Sequence, residues 1–520
     1  MDGQDELLDF LCDGAAYGRP GEPVERIDTH AAHIFLCGDR AWKIKRPVAY
    51  SFLDFSTLAA RRSALRAEYE LNRRTAPALY LGVREITRAS DGSLAIDGEG
   101  EAIEPILAMQ RFDQAALLDV VATEDRLEPA VITQLARDIA AFHRDLPPLR
   151  HVGGAEHMAK VVAGNAEDMG AATPAVFDPD RLDALNRATG ARLERDRALL
   201  DRRRDQGFVR HCHGDLHLHN IVMIDGRAIL FDALEFDPAF AQIDTWYDLA
   251  FLIMDLLHRN EPHLAFELMQ AYVEASDDAE GAALLDLFVA IRAAVRAKID
   301  GFAVAEGRER SGQADDAQAF FALAERALKP VQPVMLALGG LSGTGKSTAA
   351  RTLACGLGAP PGAVVLRSDV TRKHLYGIPP EQKLPTSAYT RTVTERVYAR
   401  LEARAACLLE AGRSVIVDAV NLDPRHRAKL ESIAASADVP FQGLWLDAPL
   451  EVLETRVAER SGDASDAGVE VVRGQWRASR SGIAWPKIDA SGTPQQVSAA
   501  ARRDLRARGV IWQACVQGEG

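Results

Sequence analysis

The chain has 520 residues, a formal net charge of -14 at pH 7 and a charged fraction of 26%. This length is too great for one ordinary hydrophobic core and predicts two to four domains, at roughly 100–200 residues each. The negative balance argues against a protein whose main task is to coat nucleic acid or to bind an anionic membrane surface.

The residues at the start of the chain, Met1 to Glu6, are acidic and lack the basic start and apolar core of a signal peptide. No apolar run is long enough to span a bilayer. The cysteines are scattered without a CxxC pair, which predicts a cytoplasmic protein whose thiols stay reduced and serve as small core residues. They are Cys12, Cys37, Cys212, Cys355, Cys407 and Cys515.

Short strands dominate the chain before residue 113. Alternating apolar residues and turn signals predict strands, in order, at 24–29, 34–37, 41–45, 81–83, 93–96 and 106–112. Period two on the third strand places Lys43 and Lys45 on one face. A long helix is predicted over 58–75, and Glu68 lies well inside it.

Helical spacing takes over after residue 130. Apolar residues recur at helical intervals over 131–143, and the segments 150–205, 243–257 and 262–328 are also predicted to be mainly helical. Two prolines in the short run Lys329 to Pro333 predict a linker.

A histidine-rich stretch lies between these helical segments. Its spacing does not match a standard zinc site. It does match the catalytic loop H-x-D-x-x-x-x-N at His213, Asp215 and Asn220, followed by a hairpin that carries Asp232. Such a loop offers one carboxylate to accept a hydroxyl proton, with an amide and a second carboxylate to hold Mg²⁺. The histidines are His211, His213, His217 and His219.

This motif pair resembles that of the aminoglycoside phosphotransferase and choline kinase-like enzymes, which share the protein-kinase-like fold. The resemblance covers roughly residues 24–325. It implies that Asp215 is the catalytic base and that Asn220 and Asp232 are metal ligands.

The same resemblance implies roles on the predicted strands. Lys43 would contact the α- and β-phosphates of ATP, with Lys45 as the alternative on the same face. Glu68 would be the ion-pair partner of that lysine, with Glu70 as the alternative. Met109 to Phe112 would form the hinge strand beside adenine. The turn near residue 31 is not the glycine-rich phosphate cover of protein kinases, so the phosphate cover is not accounted for by the sequence.

A second nucleotide signature follows the linker. Residues 340–347 fit G-x-x-x-x-G-K-[ST] at every fixed position, between an apolar strand and a helix. In a phosphate loop, backbone N–H groups and the helix N-terminus surround the phosphates. Lys346 would reach the β- and γ-phosphates, and Ser347 would bind Mg²⁺. The predicted nucleotide-binding residues are Gly340, Ser342, Gly343, Thr344, Gly345, Lys346, Ser347 and Thr348.

Carboxylates end two later strands. Asp369 follows the strand 363–367, where it could bind or activate an acceptor hydroxyl, cap a helix, or do both. Asp418 ends the strand 414–418 as a Walker-B-type carboxylate for Mg²⁺. Arg456 and Arg460 lie four apart on a predicted helix. They could close over the phosphates as a lid or simply coat the surface, and the lid is favoured.

Residues 334–512 resemble the small P-loop kinases of the gluconate kinase, shikimate kinase and zeta-toxin-like group. The whole chain resembles bacterial fusions of an aminoglycoside phosphotransferase-like domain with a P-loop ATPase/kinase domain. We therefore expect an α+β protein-kinase-like domain at 1–328, with a smaller lobe at about 24–112 and a helical lobe at about 113–328. We expect a linker at 329–333 to follow. After it would come an α/β P-loop domain at 334–512, with a parallel sheet and helices on both faces, and then a tail at 513–520.

The expected function is a cytoplasmic phosphotransferase with two ATP/Mg²⁺ sites, each acting on a small-molecule hydroxyl group. One alternative is that one domain is a silent ATP-binding module that regulates the other. Another is that the P-loop domain phosphorylates a nucleotide or a polynucleotide 5′-hydroxyl, against which the acidity of the chain counts mildly.

Overall fold

The structure is a computed structural model that describes residues 5–29, 31–50, 53–172, 175–307, 309–379, 382–459, 464–479, 482–512 and 515. The chain divides into two compact units. The first comprises 1–131, 146–152 and 207–248, and the second comprises 132–145, 153–206 and 249–520. The linker expected at 329–333 lies inside the second unit, and the domain limits drawn from the sequence remain a prediction.

The strands of the two units, numbered in chain order, are β1 Glu25–Asp28, β2 Ala32–Cys37, β3 Arg40–Lys45, β4 Ala49–Tyr50, β5 Leu53–Asp54, β6 Tyr80–Arg88, β7 Leu94–Ile96, β8 Glu101–Gln110, β9 Val209–His211, β10 Ile221–Ile224, β11 Arg227–Leu230, β12 Gln242–Asp244, β13 Met335–Gly340, β14 Val364–Arg367, β15 Val415–Asp418, β16 Phe441–Asp447 and β17 Lys487–Asp489.

The α-helices are α1 Asp5–Leu11, α2 Leu58–Asn72, α3 Leu118–Thr123, α4 Pro129–Asp145, α5 Gly154–Ala171, α6 Pro179–Gln206, α7 Thr245–His258, α8 Pro262–Ser276, α9 Leu285–Ala305, α10 Gln313–Ala327, α11 Lys346–Ala354, α12 Ser368–Leu375, α13 Arg391–Glu410, α14 Pro424–Ser436, α15 Leu450–Glu459, α16 Val469–Ala478 and α17 Pro494–Ala507.

The first unit is built on a six-stranded antiparallel sheet with the order β1-β2-β3-β8-β6-β7. The Gly38-Asp39 turn joins β2 to β3, and Lys43 on β3 pairs with Ile34 on one side and Leu107 on the other. Helix α2 packs against β3, β6 and β8. This packing brings a helix across the sheet face on which the β3 lysines lie.

A buried ion pair helps to fix α2 on the sheet. Arg61 of α2 donates two hydrogen bonds to Glu104 of β8, each 2.7 Å long. A further bond of 3.0 Å runs from Arg61 to the carbonyl of Phe55. Both side chains are buried, so the pairing compensates two charges that would otherwise be costly to remove from water.

Two of the short strand pairs in the first unit frame the predicted catalytic loop. β9 pairs antiparallel with β12, and β10 pairs antiparallel with β11. The loop that carries the predicted catalytic residues lies between β9 and β10, and Asp232 follows β11. Pairing at both ends of the loop therefore brings its residues close to Asp232.

The second unit combines helices with a five-stranded sheet. The sheet has the order β14-β15-β13-β16-β17, and every pairing in it is parallel. β13, β14 and β15 are buried along their whole length, which is why they read as mainly apolar runs. Helix α11 packs against β13, β14 and β15, and α13 packs against β14 and β15. The expected combination of an α+β part with a parallel α/β part is confirmed.

Two cysteines depart from the expectation of reduced thiols. The sulfurs of Cys355 and Cys515 form a disulfide, with the two Cα atoms 5.7 Å apart. That prediction was wrong for this pair because 160 residues separate the two cysteines and their spacing gives no pairing signal. Cys37 and Cys212 are free and buried, as expected. Within the described residues, no helix has the length and apolar composition needed to cross a bilayer.

Candidate active sites

The two β3 lysines meet a single carboxylate in the first unit. Lys43 Nζ lies 2.7 Å from Glu68 Oε1, and Lys45 Nζ lies 2.7 Å from Glu68 Oε2. Period two along β3 points both side chains to the same face, and α2 brings Glu68 to it. Glu70, the alternative partner, lies on the exposed side of α2 and pairs with Arg73.

The second contacts of the two lysines differ. Lys43 Nζ donates to Asp232 Oδ1 at 3.1 Å, whereas Lys45 Nζ binds Glu235 at 2.5 Å. The Asp232 side chain is 44% exposed, while that of Glu235 is 10% exposed. Lys43 is thus the lysine next to the accessible carboxylate, and Lys45 is the one buried behind it. The assignment of Lys43 as the phosphate-contacting lysine remains a prediction.

The charges of this cluster depend on one another. Burial alone would raise the pKa of Glu68, but the Lys43 and Lys45 ammonium groups outweigh it and lower that pKa to about 2. Burial opposes protonation of Lys43, yet Asp232 and Glu68 raise its pKa well above the ordinary value. At neutral pH, Glu68 is therefore ionised and Lys43 is protonated.

Asp232 is placed by its backbone. Its φ is +59°, a left-handed conformation that non-glycine residues seldom adopt and that costs roughly 1–3 kcal/mol. Its N–H donates to the Tyr80 hydroxyl at 3.1 Å, and the N–H of Ala233 donates to Asn72 Oδ1 at 2.8 Å. These two bonds hold the turn that directs the carboxylate of Asp232 towards Lys43.

The predicted base and its neighbours lie together on the loop after β9. Asn220 donates through Nδ2 to Asp215 Oδ2 at 2.8 Å and to the Asp215 carbonyl at 2.9 Å. His217 Nε2 lies 3.2 Å from Asp215 Oδ2. Because the amide nitrogen of Asn220 faces Asp215, its amide oxygen is the atom that would meet a cation.

The loop rests on a buried carboxylate. Asp248 accepts the backbone N–H groups of His213, at 3.2 Å, and Gly214, at 2.8 Å. Burial lowers the pKa of His213, so its neutral ring donates from Nε2 to the Phe231 carbonyl at 2.9 Å. The loop is thereby tied to the strand end that precedes Asp232.

The predicted hinge residue, Met109, is partly buried near the end of β8. Met109 on β8 pairs with Ala41 on one side and Tyr80 on the other. It packs, with Phe112 and Phe231, against a buried apolar cluster. Apolar side chains of this kind suit contact with a nucleobase, and the role of Met109 beside adenine remains a prediction.

The oxygen donors of this unit fit a hard cation. Asn220 and Asp232 offer an amide oxygen and a carboxylate, which are the ligand types that Mg²⁺ prefers. Lys43 beside Asp232 adds the positive charge that a triphosphate requires.

The phosphate loop of the second unit joins β13 to α11. The φ angles of Gly340, Gly343 and Gly345 are +146°, +89° and +81°. A Cβ on Gly343 would lie 2.9 Å from the carbonyl oxygen of Leu453, so this position requires glycine for space as well as conformation. Lys346 opens α11 and donates to the Leu341 carbonyl at 2.9 Å. Ser342 and Thr344 lie within the loop, and Thr348 follows in the first turn of α11.

A hydroxyl and a carboxylate meet beside this loop. Ser347 Oγ donates to Asp418 Oδ2 at 2.6 Å. The parallel pairing of β13 with β15 brings Asp418, at the end of β15, next to the start of α11. Burial raises the pKa of Asp418, and the nearby Arg367 and Lys346 oppose that rise. Both donors are oxygens, so the pair fits Mg²⁺ as expected for a P-loop site.

These residues line a cleft of about 1020 Å³. Asp369, in the first turn of α12, lies on its wall together with Arg372 and Tyr389. Arg372 donates to the Ala388 carbonyl at 2.8 Å and lies over the Tyr389 ring, with its guanidinium carbon 5.0 Å from the ring centre. The cleft therefore has room for a nucleotide and for a second polar molecule beside Asp369.

Of the two arginines predicted to form a lid, the structure describes Arg456. Arg456 lines the cleft, and its guanidinium donates to the carbonyls of Ala490, at 2.7 Å, and Gly492, at 2.8 Å. These contacts hold the loop after β17, and a lid role for Arg456 remains a prediction. Arg460 lies outside the described residues.

Several residues of the two sites were missed from the sequence. In the first unit this is Glu235. In the second they are Arg367, which ends β14 beside Asp418, and Gln475, whose Oε1 accepts the Ser342 N–H at 2.9 Å. Glu235 follows Asp232 by three residues and Arg367 precedes Asp369 by two, so proximity to a predicted site residue was the available signal.

One protein-family match falls within the second unit. Residues 335–486 match a protein family described as an AAA domain. The adenylyl-sulfate kinase of Myxococcus xanthus is 33% identical over 123 residues, which cover 24% of this chain and 62% of that protein.

Two solved structures are similar to parts of the chain. The choline/ethanolamine kinase family protein of Mesorhizobium loti is 14% identical with a TM-score of 0.39, covering 63% of this chain and 95% of that chain. The gluconokinase of Sinorhizobium meliloti is 21% identical with a TM-score of 0.26, covering 34% of this chain and 94% of that chain.

Mycobacterial relatives match almost the whole sequence. The uncharacterized protein Rv2004c of Mycobacterium tuberculosis is 30% identical over 471 residues, which cover 89% of this chain and 91% of that protein. The expected P-loop part agrees with the parallel sheet of the second unit and with the family match over residues 335–486. The chain therefore belongs to the same protein family as Rv2004c.

Proposed function

We propose that this protein is a bifunctional ATP-dependent phosphotransferase that acts on small-molecule hydroxyl groups at two separate sites. The observation that carries the proposal is that each unit pairs a lysine with oxygen donors suited to a magnesium nucleotide. In the first unit Lys43 forms an ion pair with Asp232, and in the second unit Lys346 is next in sequence to Ser347, which is hydrogen-bonded to Asp418. The proposed setting is cytoplasmic, with ATP and Mg²⁺ as cofactors.

In the first unit, Asp215 is proposed to act as the catalytic base. It would accept the proton of the acceptor hydroxyl while the hydroxyl oxygen forms a bond to the γ-phosphorus of ATP. The bond between the γ-phosphorus and the bridging oxygen of the β-phosphate breaks at the same time, which releases ADP. Bound Mg²⁺ would neutralise the phosphate charge. Asn220 supports this role because its amide holds one carboxylate oxygen of Asp215 at 2.8 Å and so fixes the direction of the other.

In the second unit, Asp369 is proposed to receive the acceptor proton. Its place in the first turn of α12, on the wall of the cleft that the phosphate loop also lines, supports the proposal. The loop N–H groups and Lys346 would bind the phosphates, and Ser347 and Asp418 would hold the magnesium ion.

Separate substitutions test the two sites. ATP turnover would be measured with a panel of metabolite alcohols for the wild type, Asp215→Asn and Lys346→Ala. We expect each variant to lose one group of acceptors and to keep the other. D215N should still bind ATP, because the change removes the base and leaves Lys43 and Asp232 in place.

The same experiment separates the alternatives. If either variant keeps all turnover, the corresponding site is not an independent catalyst, and a regulatory ATP-binding role replaces it. If Lys346→Ala abolishes phosphorylation of a nucleotide or of a polynucleotide 5′-end but of no other alcohol, the acceptor class proposed for the second unit is wrong.

A further inference from the structure

Helix α8 of the second unit reaches the open edge of the parallel sheet. β14 is an edge strand, bonded on one side to β15. On its other side, Gln270 of α8 accepts the Val365 N–H and donates to the Val365 carbonyl, both at 3.0 Å. The buried amide of Gln270 thus replaces a neighbouring strand at this point and fixes α8 against β14.

One helical turn after Gln270, α8 places a carboxylate next to the phosphate loop site. Glu274 lies 3.6 Å from Arg367 and 2.9 Å from Arg351. Arg367 in turn lies 3.6 Å from Asp418, the carboxylate that accepts the Ser347 hydroxyl. A continuous charged chain therefore runs from α8 to the proposed magnesium ligands.

We propose that Glu274 is a positioning residue of the P-loop site, which holds Arg367 away from Asp418 and so keeps the Asp418 carboxylate available to Mg²⁺. The inference rests on the proposed nucleotide site. Its consequence is that α8, which lies in the segment with the phosphotransferase-like resemblance, supplies part of the second catalytic centre.

The balance of distances supports this role. The Arg367 guanidinium is 3.6 Å from Glu274 and 3.6 Å from Asp418, so it is attracted by both carboxylates and in hydrogen-bond contact with neither. Without the charge of Glu274, the attraction of Asp418 for Arg367 is no longer opposed from α8. A guanidinium bonded to a carboxylate competes directly with a cation for the same oxygen atoms.

The surroundings of Glu274 keep it ionised and fixed. Its side chain is 14% exposed, and Gln270 donates to it at 3.0 Å. His374 Nε2 lies 2.8 Å from the Glu274 carbonyl, which attaches α12 to the same turn of α8. Burial would raise the pKa of Glu274, but Arg367 and Arg351 outweigh it and hold that pKa below the ordinary range.

Binding of a fluorescent ATP analogue to the full-length protein, with excess Mg²⁺ and with EDTA, tests the inference. The part of the binding that Lys346→Ala abolishes defines the P-loop site. We expect Glu274→Gln to reduce the gain in affinity on adding Mg²⁺ by about tenfold, as for loss of other outer-shell partners of metal ligands. Its affinity in EDTA should stay at the wild-type value.

The matched control is Glu267→Gln. Glu267 lies two turns earlier on α8 and pairs with Arg351 at 3.2 Å, so this change removes an equal charge from the same helix. It should leave the Mg²⁺-dependent gain unchanged. Glu274→Asp, which keeps the charge, should restore most of the gain. If E274Q does not fold, Glu274→Ala is compared with Glu267→Ala in its place.

The outcomes are distinct. If the gain is the same in E274Q as in the wild type, or if E267Q loses as much, Glu274 does not position the site. In the substitute comparison, a gain in E274A no lower than that in E267A overturns the inference in the same way. If Lys346→Ala leaves ATP binding intact, the proposed P-loop site itself fails, which is a separate result.

Discussion

Lys43 and Lys45 bind the same carboxylate, one at each oxygen of Glu68, and both contacts are 2.7 Å. Their other partners divide them, because Lys43 reaches the accessible Asp232 and Lys45 reaches the buried Glu235. Two lysines that look equivalent in the sequence are thus expected to serve different purposes, one in phosphate binding and one in holding the site together.

Alanine substitution of each lysine should separate these purposes. In a Lys346→Ala background, Lys43→Ala should lower turnover at the first site by about 10²-fold or more, since a positioned charge is lost. Lys45→Ala should instead destabilise the fold by about 3 kcal/mol, because two buried carboxylates lose a cation. Turnover and thermal melting measure the two effects. Equal loss of turnover in both variants, with equal melting, would contradict the division.

The acid sensitivity of the fold should depend on Glu68. Its pKa is lowered to about 2 by the two lysines, from an ordinary value of 4.5. A carboxyl with a depressed pKa stabilises the folded state above the unfolded pKa, and that contribution is lost as pH falls from about 4.5 to about 2. At neutral pH it is on the order of 3 kcal/mol.

Melting curves of the wild type and Glu68→Gln across this pH range provide the measurement. The wild type should be more stable above pH 5, and its advantage should shrink steadily as the pH falls. Glu70→Gln is the control on the same helix, because Glu70 is 64% exposed and should change little. A stability difference between wild type and E68Q that does not vary with pH would count against the assigned charges.

Two adjacent arginines on α2 offer a matched test of burial. Arg61 binds Glu104 in a buried pair, and Arg62 binds Glu85 in a pair whose side chains are 27% and 30% exposed. Glu104→Gln should cost about 3–5 kcal/mol, since it leaves a buried arginine without its counter-charge. Glu85→Gln should cost about 1 kcal/mol or less. Thermal melting compares them, and similar shifts would show that burial does not govern these pairs.

Much of the first unit could be predicted because its signals are local. Alternation and turn residues located β1, β2 and β3 to within two residues, and the loop motif placed Asp215 and Asn220 together. The sequence could not separate Lys43 from Lys45, since period two gives both the same face. Their difference depends on Asp232 and Glu235, which approach from nearly 190 residues away in the chain.

The second unit shows the same division between local and distant signals. The phosphate loop, β13 and α11 follow from the sequence motif and its flanking pattern. The position of Arg367 between Glu274 and Asp418 could not be predicted from the motif, because this position depends on the packing of α8 against β14. An arginine at a strand end gives no sign of its partners when they lie on another helix and another strand.

The phosphate loop should be intolerant of a side chain at Gly343. Its φ is +89°, and an added Cβ would lie 2.9 Å from the Leu453 carbonyl oxygen and 3.0 Å from a Val457 methyl group. Gly343→Ala should therefore displace the loop and abolish the Lys346-dependent part of ATP binding, while binding at the first site persists. Gly190→Ala is the control, because Gly190 lies within α6 with nothing within 4 Å of the added Cβ.

The control should bind ATP normally and gain about 1 kcal/mol of stability from the better helix propensity of alanine. Nucleotide titration and thermal melting of both variants measure these effects. Normal P-loop binding by G343A would mean that the loop accommodates a side chain at this position and that its close approach to Leu453 is not required for holding the nucleotide.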